Sequence, residues 1–507
     1  MKSKFALLLA VAVAIAAADW LLFARLRSTR AVPRLVLLYA PCTVSKRYLS
    51  PYEPKVHFTP YLDAFAEQSV VFQRHQTEEG QSGVAYASIF SGNQSDRHGI
   101  YTHPTMLSDD VLLMPEAYAA AGYETFFWSV HPMASPELNY GQGVPAEHTW
   151  YDDGKVNRFL RADDPDFRAL LDGLVADPSR RAFVMTNFSV THGLYSSKQW
   201  TKFCKNFPSE CPPVGNADIV RFLNAMKDQY HEWSYDFEGT RQKLGFDEAT
   251  TRRFISFVEM IYKSNIWYLD TLFGAVVNEI KARGLLEDSL IVFTADHGEV
   301  LFRSNAPYKW THGFTLAPED IEVPLIVRSP LLEPRRYESV TRSIDVFPTM
   351  AGLSAIELPA GAVDGEDLSK VLFAKTERDL LAFSHTALVP DRFMTDLNPH
   401  FRALSLPFPR QDPQLMWVEV RQHDLVYKLT NRDGKRFRPE VYDRQTDLNE
   451  FKNLYDDSDA SQRQMFQLLE AYKQRLVEAY DRKGASTAGR LPSEREIEIL
   501  RSLGYIK

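Results

Sequence analysis

The chain has 507 residues, 45% hydrophobic and 24% charged, with 58 basic against 66 acidic side chains and a net charge of -8. That length exceeds a single core, and the composition is that of a globular protein, which excludes wholesale disorder and fibrous classes. The acidic balance, with no basic stripe, argues against a nucleic-acid partner, and with no second long apolar run the chain is not a multi-pass transporter.

Lys2 and Lys4 precede an apolar stretch from Phe5 to Ala24, the pattern of an export segment. Two readings of residues 1–30 stand side by side. The stretch is long enough to span a bilayer as an uncleaved signal anchor, a transmembrane helix. Alternatively, Ala16-Ala17-Ala18 before Asp19 is the cleavage site of a signal peptide. Trp20, Leu21, Leu22 and Phe23 prolong the apolar run and favour the anchor. Either reading puts the bulk of the chain in the cell envelope, membrane-anchored or exported to the periplasm or extracytoplasmic space. Cys204 and Cys211 lie close together among Pro208, Pro212 and Pro213, and a local disulfide is expected in an oxidising compartment. Asn93-Gln94-Ser95 and Asn187-Phe188-Ser189 fit the glycosylation sequon, a short pattern that often arises by chance.

Residues 34–39 form an apolar run behind Pro33, predicting a buried parallel strand. Thr59-Pro60 predicts an N-cap and first helical position for a helix through Glu67. Strands are predicted over 70–73, 123–129 and 182–188, with a helix over 117–121 capped by Gly122. Leu269, Leu272, Phe273, Val276, Val277 and Ile280 keep one face of a long helix apolar, and Gly284 ends it. A buried strand over 290–294 and a strand over 323–327 follow. Strands alternating with helices predict an α/β fold over 34–375, a mixed, largely parallel sheet sandwiched by helices. Residues 196–253, with the paired cysteines and several aromatics, read as an insertion over the ends of the strands.

After about residue 375 the pattern changes. Strands are predicted over 415–420, 425–430 and 437–442, with a turn at Asn431–Gly434, then a helix over 460–480. Residues 376–482 therefore form a smaller α+β domain with an antiparallel sheet, and 483–507 a linker and terminal helix.

In parallel α/β sheets, sites form beyond the carboxyl ends of strands. Asp296-His297-Gly298-Glu299 follows the 290–294 strand directly, a carboxylate and an imidazole side by side that can hold a divalent cation. His312-Gly313 stands further on, before the 323–327 strand.

Here the sequence resembles the sulfatase family of the alkaline phosphatase superfamily. Thr294-Ala295-Asp296-His297-Gly298-Glu299 looks like its metal motif, and Thr59-Pro60-Tyr61-Leu62-Asp63 like its TPNLD helix start. Ala87-Ser88-Ile89-Phe90-Ser91-Gly92 with Arg97-His98-Gly99 is similar to the run after its nucleophile. Asp345-Val346-Phe347-Pro348-Thr349, Tyr427-Lys428-Leu429, Val441-Tyr442-Asp443 and the Leu500–Ile506 tail continue the likeness in the family's order, over about residues 34–507. The resemblance implies Ser82 as nucleophile, His192 and His312 as contacts to the anionic group or proton donors to the leaving oxygen, and Lys309 as a neutraliser of substrate charge. It implies Asp296 and His297 as metal ligands and assigns structural roles to Arg97 and His98.

The chain departs from the family at two motifs. The stretch Ser82-Gly83-Val84-Ala85-Tyr86 lacks the Pro and Arg of C/S-x-P-x-R, so formylglycine is not expected and an unmodified serine remains. Cys42 and Thr43 stand where the family places Asp. The family's ion is Ca2+ or Mg2+, whereas a thiolate ligand at Cys42 favours Zn2+; the alternative is a buried, inert thiol with a weakened or lost metal site. The leading expectation is a metal-dependent hydrolase of sulfate or phosphate esters in the cell envelope. The others are a phosphodiesterase, or a phospho-group transferase acting on an envelope glycan or lipid-linked sugar, and a non-catalytic relative that binds glycan or protein.

Overall fold

The computed structural model describes residues 32–102, 105–151, 159–192, 199–303, 309–386, 413–432 and 436–483. The export segment, the Gly434 end of the predicted turn and the linker with its terminal helix lie outside these residues.

The fold is organised by β1 (Leu35–Pro41), seven residues all buried. A strand apolar on both faces belongs between two other strands with a layer of helices on each side. β1 pairs in parallel with β5 (Ala182–Phe188) and β6 (Ser289–Thr294), so that Leu37 stands opposite both Val184 and Ile291. The remaining strands of this sheet are β2 (Val70–Gln76), β3 (Glu124–Ser129), β4 (Thr149–Tyr151), β7 (Leu325–Arg328) and β8 (Arg335–Arg342), in the order β4-β3-β5-β1-β6-β7-β2-β8. β7 alone runs antiparallel to its neighbours. The predicted mixed, largely parallel sheet is therefore present. β4 and β8 went unpredicted. β8 reads RRYESVTR, a charged edge strand whose polarity hides it in sequence while discouraging further pairing.

Alternation along β1 feeds two cores. Leu35, Leu37 and Tyr39 pack on one face with Phe273, Val276 and Ile280 of the helix Glu248–Ala282. Val36, Leu38 and Ala40 pack on the other with Val84 and Tyr86 of the helix Ser82–Ser91. We name the helices used below α1 (Pro60–Ala66), α2 (Ser82–Ser91), α3 (Trp200–Asn206), α4 (Asn216–Tyr235), α5 (Phe237–Lys243), α6 (Glu248–Ala282) and α7 (Ala460–Lys483). Thr59 does not cap α1 with its side chain as expected. Its Oγ1 accepts from the Ser50 amide at 2.8 Å, and Asp270 of α6 takes the amides of Tyr61 and Leu62 at 3.1 and 2.7 Å.

Residues 196–253, read from the sequence as an insertion, hold α3, α4, α5 and the start of α6 among the described residues. A disulfide joins Cys204 of α3 to Cys211, with Cα atoms 5.7 Å apart. Trp233 of α4 packs 4.5 Å from Phe254 and edge-on to Trp310 at 6.1 Å, which brings the insertion to the chain that carries His312. Both sequon asparagines are buried and spent on structure. Asn187 Nδ2 donates to Ala134 O at 2.7 Å, and its Oδ1 accepts from the Val130 and His131 amides.

The second sheet holds β12 (Arg438–Asp443), β11 (Leu425–Thr430), β10 (Val418–Gln422) and β9 (Ala382–His385), in that order and all antiparallel. α7 covers it with Leu469 and Leu476 against Val418, Val420 and Tyr427. β9 has only four residues, too few for the alternation that revealed the others. It grips the end of β2: Ser384 Oγ donates to Thr77 O at 2.7 Å and the His385 amide to Glu78 O at 2.8 Å. Beside this seam lies a buried ion network. Glu322 pairs with Lys46 at 2.8 Å and Arg421 at 2.9 Å, and Arg444 with Glu419 at 3.3 Å and Glu450 at 2.8 Å.

Two predictions follow from the seam. Arg444→Met removes one of the two cations that Glu419 and Glu450 share and leaves Lys428, 3.0 and 2.5 Å from them, as the other, so urea unfolding should show a loss of about 1–3 kcal/mol, less than for a carboxylate left with no cation. Glu78 is enclosed by Ser88 Oγ at 2.8 Å and Tyr472 OH at 3.0 Å, and burial pushes its pKa up to about 8. Between its unfolded pKa and about pH 8 the folded state holds a proton that the unfolded state has lost, so Glu78 removes stability as pH rises through that window. Glu78→Gln should flatten this dependence, gaining stability over the parent at pH 8 but not at pH 4.5.

Candidate active site

Three chain segments leave the sheet at the carboxyl ends of β1, β5 and β6 and meet in one place. Cys42 and Thr43 follow β1, Thr191 and His192 follow β5, and Asp296 and His297 follow β6. Ser82 opens α2 beneath them. Cys42, Ser82, Asp296 and His297 are all fully buried.

Each side chain is held from behind. Asp296 Oδ1 accepts from the Thr43 amide at 3.2 Å and the His297 amide at 2.7 Å. Its Oδ2 is thereby turned toward His297 Nε2, 3.4 Å away. His297 Nδ1 donates to Gly298 O at 2.8 Å, which leaves Nε2 with its lone pair facing inward. Ser82 Oγ lies 3.0 Å from that Nε2, and Cys42 Sγ lies 3.4 Å from Ser82 Oγ and 3.8 Å from His297 Nε2. Four donor atoms of three elements, sulfur, oxygen and nitrogen, thus surround one point.

Histidines ring the cluster. The His312 ring stands 4.3 Å from that of His297 and 5.0 Å from that of His192. Glu299 Oε1 holds His312 Nδ1 at 3.3 Å. Lys309 precedes His312 on the same segment. Its amide donates to Ser234 O at 3.1 Å and its ammonium lies 5.7 Å from the Phe302 ring. Arg97 pairs with Asp364 at 2.9 Å, and His98 Nε2 bonds Ser88 Oγ at 3.1 Å, both building the fold around α2.

Burial sets the electrostatics. It pushes the Cys42 thiol well up, helped by the Asp296 carboxylate, and raises Asp296 itself. It holds His312 well below the usual imidazole range, helped by His297. It raises Asp320 well above the carboxylate range, with Glu79 and Glu299 adding to the effect.

Three participants escaped the sequence reading. His131 is buried after β3, and one of its nitrogens lies within 4.8 Å of ligand atoms of both Cys42 and Asp296. Its signal was present, because it follows the predicted 123–129 strand just as Asp296 follows the 290–294 strand. Glu299 stands in the sequence as the last residue of the metal motif with no role of its own, and Asp320 belongs to no motif; the fold turns both inward. Asp320 Oδ2 accepts from the Gly313 amide at 2.9 Å, and Oδ1 lies 4.0 Å from His297 Nδ1.

The glycine of the DHG segment has a steric cause. A Cβ on Gly298 would stand 1.9 Å from the Glu319 carbonyl oxygen, which is backbone and cannot swing aside. The close approach lets the amides of Gly298 and Glu299 donate to Asp320 O and Glu319 O at 2.6 and 3.0 Å.

A sulfatase family model matches residues 43–356, more than half of the chain. The chain belongs to the sulfatase family. Its relatives include an ulvan-active sulfatase from Formosa agariphila, 22% identical over 82% of this chain and 78% of that one. A low-salt glycan biosynthesis sulfotransferase from Haloferax volcanii is 30% identical over 35% of this chain and 45% of its own length. Among solved structures, the phosphonate monoester hydrolase from Silicibacter pomeroyi shares the fold with a TM-score of 0.62 at 21% identity, covering 88% of this chain and 96% of that one. Within this sulfatase fold the missing arginine of the nucleophile motif has a local explanation. Tyr86 stands in its place, buried, with its hydroxyl donating to Ala40 O at 2.8 Å.

Gly298→Ala should therefore be one of the most damaging small substitutions in the protein. The added methyl forces the DHG segment away from Glu319, costing at least about 1–3 kcal/mol. Thermal melting should register the loss together with a fall in any ester hydrolysis.

Proposed function

We propose that this sulfatase-family ester hydrolase cleaves an anionic sulfate or phosphate ester, with Ser82 as nucleophile and a divalent cation at Cys42, Asp296 and His297. The observation that supports the reading is the Ser82 hydroxyl, 3.0 Å from His297 Nε2 and 3.4 Å from Cys42 Sγ at the mouth of three strands. A divalent cation bound there lowers the pKa of an adjoining hydroxyl and screens an anionic ester. Ser82 Oγ forms the new bond to phosphorus or sulfur and gives up its proton to solvent water; a second water then attacks the same phosphorus or sulfur, and Ser82 Oγ regains a proton as that bond breaks. The leaving alcohol takes a proton as the ester bond breaks, and His192 is the group proposed to hand it over, while His312, whose charged form burial disfavours, is proposed to contact the anionic group. His131, whose Nδ1 accepts from the Met133 amide at 3.3 Å, carries its ring proton on the other nitrogen and so can donate to an anionic oxygen. Lys309 adds positive charge further out along the His312 segment.

An unmodified serine suits phosphoryl transfer better than sulfate release. Formylglycine enzymes eliminate sulfate from a gem-diol hemiester, a route closed to plain serine. A second reading, transfer of the group to a glycan hydroxyl instead of water, is favoured by the likeness to the glycan-biosynthesis sulfotransferase. The Cys204–Cys211 disulfide and the apolar segment from Phe5 to Ala24 support a place in the cell envelope, tethered or exported.

Turnover of an aryl sulfate, an aryl phosphate and a diaryl phosphate by parent and Ser82→Ala protein tests this. The phosphate esters should be the better substrates, and Ser82→Ala should lower kcat about a thousandfold or more. Undiminished turnover by Ser82→Ala would remove the serine from the chemistry. A parent inert toward all three esters would point to the binding-only relative.

A further inference from the structure

We propose that the cluster of Cys42, Asp296 and His297 is a tetrahedral zinc site, with Ser82 Oγ at the fourth corner, and not a site for the hard Ca2+ or Mg2+ of the family. The inference rests on the active-site assignment above and adds the identity of the ion.

Donor spacing is the first argument. Zinc binds thiolate sulfur at about 2.3 Å and imidazole or carboxylate donors at about 2.0–2.1 Å, so the edges of its tetrahedron run about 3.3–3.6 Å. Four of the six edges among these donors measure 3.8 Å from Cys42 Sγ to His297 Nε2, 3.4 Å from Cys42 Sγ to Ser82 Oγ, 3.4 Å from Asp296 Oδ2 to His297 Nε2 and 3.0 Å from Ser82 Oγ to His297 Nε2. A shift of a few tenths of an ångström closes them on a zinc-sized ion.

Donor chemistry is the second. Ca2+ takes six to eight oxygen ligands, and Mg2+ demands an octahedron of oxygens. Only two of the four donors here are oxygens. Thiolate with imidazole and carboxylate is a zinc set.

Support behind the ligands is the third. A zinc histidine donates its other ring N–H to a fixed acceptor, and His297 Nδ1 donates to Gly298 O at 2.8 Å. Asp296 Oδ1 is tied to the Thr43 and His297 amides, so Oδ2 is the oxygen left for the ion. This choice also separates the two imidazoles near Cys42. His131 shares the neighbourhood, but its Nδ1 already accepts from Met133, which puts a proton rather than a lone pair on Nε2. Zinc binding displaces the thiol proton of Cys42 to solvent, and no redox change is involved.

The test uses the full chain, stripped of metal and dialysed separately against Zn2+, Ca2+, Mg2+ and Co2+. Elemental analysis should find one zinc per chain and no retained calcium or magnesium. The Co2+ form should show the intense near-ultraviolet thiolate-to-cobalt band and tetrahedral visible bands. Cys42→Ser should lose the thiolate band and weaken zinc binding at least about a hundredfold, while His131→Ala keeps both. Cys42→Asp should move the preference toward Ca2+ or Mg2+. Retention of Ca2+ or Mg2+ in place of zinc by the parent, or absence of the thiolate band from its Co2+ form, overturns the inference, and neither reading depends on how a variant folds. Esterase activity that needs Ser82 but runs on Ca2+ would overturn the zinc site alone. A zinc-loaded protein whose turnover survives Ser82→Ala would overturn the nucleophile alone.

Discussion

One carboxylate oxygen holds the site together. Asp296 Oδ1 takes the Thr43 amide from the end of β1 and the His297 amide from the end of β6. Two adjacent parallel strands are thereby stitched at their carboxyl ends, and everything reactive hangs from that stitch. The cost is visible in the backbone. Thr43 sits at φ +56°, a left-handed conformation that a β-branched residue adopts only under constraint, worth about 1–3 kcal/mol of strain. The surrounding bonds over-determine it: Thr43 Oγ1 donates to Cys42 O at 2.8 Å, and Tyr262 OH donates to Thr43 O at 2.8 Å. The turn at Thr43 lets the chain cross the top of the sheet and leaves Cys42 facing Ser82 and His297.

The segment opposite is bent in the same way. Trp310, at φ +49°, lies buried against the insertion just before His312. Its packing on Trp233 and Phe254 sets an aromatic wall behind the histidines. Charge is concentrated instead where the two sheets meet. A buried set of carboxylates and guanidinium groups contributes little net stability when complete, because desolvation offsets the attraction. Its effect is directional: Glu322, just before β7, pairs with Arg421 of β10 and with Arg444 after β12, which ties the second sheet to the first. That arrangement also places Glu78 and Tyr472 behind α2, so the second domain braces the helix that starts with Ser82.

Local pattern explains which elements could be read in advance. β1, β5, β6 and the apolar stripe of α6 are long, uniformly apolar or regularly spaced, and each was legible because burial on a known number of faces leaves its mark on residue type. β4, β8 and β9 are short or charged edge strands whose pairing partners, not their own residues, make them strands. Thr59 looked like a helix cap, yet Ser50 claims its oxygen and Asp270 caps the helix from far along the chain. Local chemistry named a suitable residue, and tertiary contact chose a different one.

The same division runs through the site. Family membership, the DHG segment, Ser82 and the substitution of Cys42 for an acid are written in residue order, since each is a local motif beside a strand end. The disulfide between neighbours in sequence was equally legible. What the chain order does not contain is distance. That Cys42 Sγ, Ser82 Oγ and His297 Nε2 fall within 3.0–3.8 Å of one another depends on the register of β1 against β6 and on the turn at Thr43. The inward facing of His131, Glu299 and Asp320 was likewise settled by tertiary structure, because an isolated acid or histidine in a loop carries no record of which way its backbone will turn. Motifs announce the atoms available for chemistry; parallel strand pairing, acting over long separations in the chain, decides which of them meet.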